Sequence, residues 1–336
     1  MREISNLLKQ GVEASHFPGA SYCIVYKDGT VDCDFVGNVR THPSKELLQD
    51  TTIYDCASLT KVISTTTMIM TLIEDGKLSL ITPVWKVLPK FKHKDILVKH
   101  ILTHSSGLPA DIPKVNTLKN KADVESRVYD FDLINNVGEK IVYSDIGYIL
   151  LGFMIEKITH MPLDEYAAIT IFEPLKMIDT SYKPQKDRCA PTELREDDIY
   201  NGYLQGLVHD EKSFALNGLS GHAGMFSTTH DISKFILSIL NNDEKILKKD
   251  TVDSLFPCRK EDINTRGSKL VRAYGWDKPT HGGTAGNQVS FEHTIVHTGF
   301  TGCNVWIERE QGIGFVMLSN AVHPKRNLNK IIQYRN

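Results

Sequence analysis

Strand-forming sequence in this chain is gathered at its two ends. "SYCIVYKDGTVDCDFVG" (21–37) reads as two strands around a Lys27-Asp28-Gly29 turn. "HTIVHTG", "CNVWIERE" and "IGFVMLSN" alternate or run apolar near the C terminus, the last two separated by a Gln311-Gly312 turn. Between about Thr82 and Ser227 strands become rare. Helical stretches such as "DIGYILLGFMIEKIT" alternate there with loops such as "LTHSSGLPADIP". The pattern predicts an α/β (α+β) chain in two parts. Residues 1–80 and 228–336 build one discontinuous sheet domain, and 81–227 form an inserted, mainly helical region.

Smaller features fit this outline. Ile4, Leu7, Leu8 and Val12 share one face of an opening amphipathic helix that "FPGA" (17–20) ends. A helix starting near Ser58 runs to Glu74-Asp75, with Gly76 as its C-terminal cap. "HGGTAG" (281–286) reads as a loop, and "NLNKIIQYRN" as the start of a C-terminal helix packed on the sheet.

Composition excludes several classes of function. A net charge of -2 offers no basic field for nucleic acid, and the basic run from Lys90 to His100 reads as a solvated face. No apolar stretch reaches the roughly 18 residues of a membrane span. The first residues lack the charged-then-apolar pattern of a signal peptide, which points to the cytoplasm unless a leader has been removed. The six cysteines are scattered without a C-x-x-C pair and read mostly as buried free thiols of a reducing compartment. Cys56, two residues before Ser58, reads as packing.

The chemistry centres on "YDCASLTKVIST" (54–65), which holds the only S-x-x-K of the chain. At positions i and i+3 of a helix start, Ser58 and Lys61 share a face. A serine hydroxyl becomes a nucleophile when a neighbouring base takes its proton, and a lysine serves only if its pKa is lowered. Taken alone, the pattern fits equally a helix-start serine beside a surface lysine. Two further stretches bear on the choice. "IVYSDIGYILLG" places Tyr143-Ser144-Asp145 before a strong helix, and "IVHTGFTG" places His297-Thr298-Gly299 at a strand end.

In this order the three stretches resemble the serine β-lactamase and penicillin-binding protein family, nearest its class C and DD-peptidase branch. "LTHSSGLP" (102–109) and "GHAGMFSTTHDISKF" (221–235) look like further signatures of that branch. The resemblance spans nearly the whole chain. It implies an antiparallel sheet flanked by helices, with the active site between the sheet domain and the helical region. It also implies roles. Ser58 forms an acyl-enzyme, Lys61 helps carry its proton, and Tyr143, as a phenolate beside Lys61, is the general base. The backbone N–H groups of Ser58 and Phe300 make the oxyanion hole, and Thr298 contacts substrate. His297 stands where many relatives have lysine; its alternative is a structural histidine. Gly299 leaves room for a substrate along the strand edge.

Asp145 departs from the family pattern, which has asparagine there. An ionised aspartate accepts hydrogen bonds but cannot donate to a substrate carbonyl. It also holds Lys61 protonated. Efficient β-lactam hydrolysis is thereby disfavoured. His209, Asp210, Glu211, His222 and His230 invite a metal reading, but there is no H-E-x-x-H and no metal is expected. "HDE…GHAG" is similar to a segment of muramyl-peptide amidases, where His209 and His222 line the cleft; ordinary loop structure is the alternative. The resemblance therefore implies a serine hydrolase, without cofactor, cleaving amide bonds of peptidoglycan-derived peptides as a DD-peptidase or muramyl-peptide amidase. A β-lactamase, a carboxylesterase and a penicillin-binding sensor that does not turn over are the alternatives. The expected partner is a small-molecule or peptide substrate, and a monomer is favoured.

Overall fold

The computed structural model describes residues 2–265, 267–280 and 284–335. Residues 281–283 of the "HGGTAG" loop lie outside that set. Helix α1 (Arg2–Glu13) buries a stripe centred on Leu8. Leu7, expected on that face, is 42% exposed, because it lies about 100° around the helix from Leu8. The chain then enters strands β1 (Gly19–Tyr26), β2 (Val31–Arg40) and the short β3 (Glu46–Leu47).

A π-helical turn (Lys61–Thr66) leads into helix α2 (Thr67–Glu74). The sequence reads as one regular helix here. The turn widens where the Thr66 hydroxyl donates to the Lys61 carbonyl five residues back, at 2.7 Å, competing with the ordinary ladder. Residues 81–227 contribute mostly helices, the longest being α3 (Asp145–Thr159), together with one short strand pair, Leu194–Glu196 with Asn201–Tyr203, and a two-residue strand, Phe226–Ser227, that pairs with Tyr54–Asp55, among the described residues. Helix α4 (Thr229–Asn241) returns the chain to the sheet, and strands β4 (Thr294–Thr298), β5 (Asn304–Glu308) and β6 (Ile313–Ser319) complete it.

The six strands lie in the order β4-β5-β6-β1-β2-β3 and pair antiparallel throughout. The two ends of the chain meet where β1 pairs with β6, from Ala20↔Ser319 to Tyr26↔Ile313. One face of the sheet is covered by α4, which joins the main core through Phe235 and Ile236. The other face packs Tyr22, Val36 and Met317 against Leu8, Phe17 and Ile331. The C-terminal segment reaches this face as two short 3₁₀ turns, Arg326–Leu328 and Ile331–Tyr334, in place of the expected α-helix. Between them the Asn329 side chain accepts from the Ile331 N–H at 2.9 Å, which interrupts helical bonding.

The cysteines need one correction. Cys23 and Cys33 are disulfide-bonded, since they stand directly opposite each other on β1 and β2. Cys56, Cys189 and Cys303 are buried free thiols, as expected, and Cys258 is a partly exposed one.

Candidate active site

Ser58 sits in the turn just before the π-helical segment, and backbone strain marks the place. Ala57 has φ 45°, a left-handed conformation unusual for alanine. Three bonds hold it. The Asp55 carboxylate accepts from the Ala57 N–H at 2.8 Å and the His209 N–H at 2.7 Å, while the Asp55 carbonyl accepts from the Thr301 hydroxyl at 2.7 Å. Asp55 thereby ties together the Ser58 turn, the His209 segment and the loop after β4. Gly299 brings that loop close: a Cβ there would lie 2.6 Å from the Cys56 carbonyl. Packing against the Ser58 turn is thus one reason for a glycine at this position.

Lys61 is fully buried. Its ammonium donates to the Ser58 Oγ at 2.9 Å and the His222 carbonyl at 2.9 Å, and pairs with the Asp145 carboxylate at 2.8 Å. The His222 carbonyl reaches it because Gly221 packs directly on α3, where a Cβ would come within 2.2 Å of the Tyr148 carbonyl. Burial alone lowers the lysine pKa, but Asp145 and then Tyr143 outweigh it, so the net shift is upward. Lys61 is a charged donor here, not a free base. Its nitrogen lies 4.9 Å from the Tyr143 ring centre.

Asp145 and Tyr143 are placed by Ser144 between them. The Ser144 side chain caps α3 by accepting from the Gly147 N–H, and its backbone N–H donates to His104 Nδ1 at 3.0 Å. Asp145 follows in the first turn of α3, where the helix dipole favours a carboxylate. Burial pushes its pKa up, and the charges of Lys61, His222 and Lys212 more than reverse this. Its second oxygen meets Lys212 at 3.2 Å. Lys212 also pairs with Asp111 and Asp210, each at 2.9 Å, and Asp210 holds His222 Nε2 at 2.7 Å. Acids and bases thus alternate from Ser58 inward: Lys61, Asp145, Lys212, Asp210, His222.

The histidines of the metal reading do not converge. His209 Nε2 pairs with Glu193 at 3.0 Å, and His230 with Asp50 at 2.9 Å. His222 lies with Asp145 and Asp210 in an arrangement of ligand-type atoms, but two ammonium groups already sit among those acids. His209 and His222 do line the same cleft of about 230 Å³ as Ser58, Tyr143, Asp145 and Phe300. A larger depression, about 630 Å³, lies by Phe172 and Tyr182 and holds none of the predicted residues.

The opposite wall is different. His297 is buried, and its Nδ1 contacts the Thr298 carbonyl at 2.9 Å. Burial, then the charges of Lys61 and Arg272, push its pKa down to about 3, so the imidazole is neutral near pH 7. His104 packs its ring 4.4 Å from that of Tyr143 and is held neutral for the same reasons. The Arg272 guanidinium lies 5.4 Å from the Tyr143 ring centre. Thr298 is half-buried at the end of β4, and Phe300 is 57% exposed, its ring stacked on His209. Among the described residues, the Ser58 and Phe300 backbone N–H groups have no acceptor.

Of the ten sequence-predicted residues, Ser58, Tyr143, Asp145, His209, His222 and Phe300 line one cleft. Lys61 and His297 touch its lining through Ser58 and the Tyr143 ring, Gly299 packs on the Ser58 turn, and Thr298 lies between His297 and Gly299. Sequence reasoning missed Asp55, His104, Lys212 and Arg272. Asp55 and His104 lie inside quoted motifs and Lys212 directly follows the His209-Asp210-Glu211 run; Arg272, on a strand with no motif, carried no signal.

A family model described as Beta-lactamase matches residues 4–335. The chain belongs to the Beta-lactamase family. It is 32% identical to a putative D-alanyl-D-alanine carboxypeptidase of Escherichia coli (strain K12), covering 83% of this chain and 72% of that protein. It is 30% identical to the N-acetylmuramyl-L-alanine amidase of Bacillus subtilis (strain 168), covering 98% and 84%. Its fold is that of the octameric penicillin-binding protein homologue from Pyrococcus abyssi, with a TM-score of 0.77 over 99% of this chain and 76% of that one, at 22% identity. This Beta-lactamase family member has the β-lactamase/transpeptidase-like fold that the resemblance implied.

Proposed function

We propose that the chain is a serine hydrolase that cleaves amide bonds of peptidoglycan-derived peptides through an acyl-enzyme on Ser58. One observation carries this reading: Ser58 Oγ, held by the buried Lys61 ammonium at 2.9 Å, opens on a cleft shared with Tyr143 and Phe300. With Lys61 charged and its donors engaged, the Tyr143 oxygen takes the Ser58 proton as Oγ attacks the substrate carbonyl. The Ser58 and Phe300 N–H groups receive the developing oxyanion. Breakdown expels the amine, which takes the proton from Tyr143, and water then releases the acid by the same steps.

Within this class the charges favour a muramyl-peptide amidase over a carboxypeptidase. A carboxypeptidase must seat the free carboxylate of its leaving group. Among the described residues, the cations that line the cleft or hold Ser58 already have acid partners: Lys61 with Asp145, Lys212 with three aspartates, Arg326 with Glu193 and Glu211. The test is hydrolysis of an N-acetylmuramyl-L-alanyl peptide, followed by the free amine released, beside release of D-alanine from a D-alanyl-D-alanine peptide. The Ser58→Ala variant should lose both activities. Retained hydrolysis in that variant removes Ser58 from the chemistry, and D-alanine release as the dominant activity reverses the choice of substrate.

A further inference from the structure

The third donor of Lys212 is aimed at a partner that can leave. The Lys212 side chain is 3% exposed, and its three N–H groups face Asp145, Asp210 and Asp111. Those carboxylates are not alike. Asp145 is pinned by Lys61, and Asp210 by His222 and the Ser213 N–H. Asp111 comes from the "LPADIP" loop, its side chain is 55% exposed, and its other bond is to the neighbouring Ile112 N–H. An exposed carboxylate rehydrates more easily when displaced than the two that are 18% and 21% exposed and held by other partners.

We propose that Lys212 is the donor that recognises an amide carbonyl on the acyl side of the substrate, with Asp111 closing that donor until the substrate arrives. This deepens the serine-hydrolase reading and rests on it. Position supports it. Asp145 bridges the two lysines, so Lys212 stands one carboxylate away from Lys61, which itself holds Ser58 Oγ. Lys212 and Ser58 also line the same cleft. Charge decides the kind of guest. Lys61 and Lys212 are balanced by Asp145 and Asp210, and Glu211 also lines the cleft. A neutral carbonyl oxygen takes the third N–H without adding charge, whereas a substrate carboxylate would bring one more anion to a wall already rich in them.

Matched activated esters test this on the full chain. The p-nitrophenyl ester of N-acetylglycine carries the amide carbonyl, p-nitrophenyl pentanoate lacks it, and p-nitrophenyl succinate offers a carboxylate. Lys212→Met should lower kcat/KM for the N-acetylglycyl ester about tenfold or more beyond its effect on the pentanoyl ester, the share of one charge-assisted hydrogen bond. Asp111→Ala, a rim substitution that spares the buried pairs, should raise the N-acetylglycyl to pentanoyl ratio. An unchanged ratio in both variants overturns the assignment, and so does a larger Lys212→Met loss on the succinyl ester. Ser58→Ala separates the two levels. Full hydrolysis in that variant defeats the serine mechanism itself, whereas a dead Ser58→Ala with unmoved ratios defeats the Lys212 assignment alone.

Discussion

Two walls face each other across Ser58 and Lys61, and burial has opposite consequences on them. On the α3 side, Asp145, Lys212, Asp210 and His222 alternate in sign, and Coulomb attraction overcomes desolvation: the carboxylates titrate low and the Lys212 ammonium high. On the β4 side, His297 and His104 are buried without a carboxylate partner, beside the cations Lys61 and Arg272, and desolvation wins. One wall is a chain of ion pairs, and the other holds two neutral imidazoles at the same depth. What differs is the supply of opposite charge within a few ångströms. Lys61 belongs to both, taking its charge from the first wall and imposing neutrality on the second.

The most severe way to break this contrast is to remove Lys61. Lys61→Met withdraws the donor on Ser58 Oγ and the cation beside Tyr143, and turnover of a p-nitrophenyl ester should fall about a thousandfold. Loss within a factor of a few would show that Lys61 is only a packing residue. Next comes Asp210→Ala, which strips partners from Lys212 and His222 while leaving Ser58 and Lys61 untouched. Breaking a buried ion pair from one side should destabilise the fold by about 3 kcal/mol in urea unfolding. A change near zero would mean that water already screens this wall.

The neutral wall makes a pH prediction. His297 is depressed from 6.5 to about 3 in the folded chain, so the unfolded chain binds more protons between these values. Stability therefore rises with pH through this window and is lost as pH falls below 6.5. Between pH 7 and pH 5 the His297 contribution to that loss is about 2 kcal/mol. His297→Gln, which cannot titrate, should flatten the stability profile by that amount. Parallel profiles for the two proteins would place His297 in contact with water.

How far the contrast was legible in the sequence follows from where each partner comes. Ser58, Lys61, Tyr143 and Asp145 sit in short motifs whose spacing alone brings them to a helix start, and the sheet was legible because β1 and β6 each carry apolar runs long enough to pair. The expectation that Asp145 keeps Lys61 charged needed only the residue type. Lys212 was overlooked because the His209-Asp210-Glu211 run just before it drew attention to the histidine and acids, and nothing local says that the Lys212 ammonium turns toward α3. Arg272 reaches Tyr143 by tertiary packing from a strand outside every motif. The Cys23–Cys33 bond was hidden by their ten-residue separation; only the strand register sets them opposite.

The finest test changes one atom of the charged wall. Asp145→Asn keeps the shape of the side chain and removes its charge. Lys61 then loses its main stabilising partner, and its pKa moves down toward the range where it can accept a proton. The new amide N–H₂ can also donate to a carbonyl in the cleft, which the carboxylate cannot. Both changes favour β-lactam substrates, so benzylpenicillin turnover should rise about tenfold, the effect of one added hydrogen bond. The rise has a counterweight, because Lys212 keeps only Asp210 and Asp111 and the wall becomes net more positive by one charge. A rise in β-lactam turnover together with a modest fall in melting temperature would place substrate choice in the charge of Asp145. No rise at all would show that the aspartate is not what holds this cleft away from β-lactams, and the choice would have to lie with Lys212 and the rim.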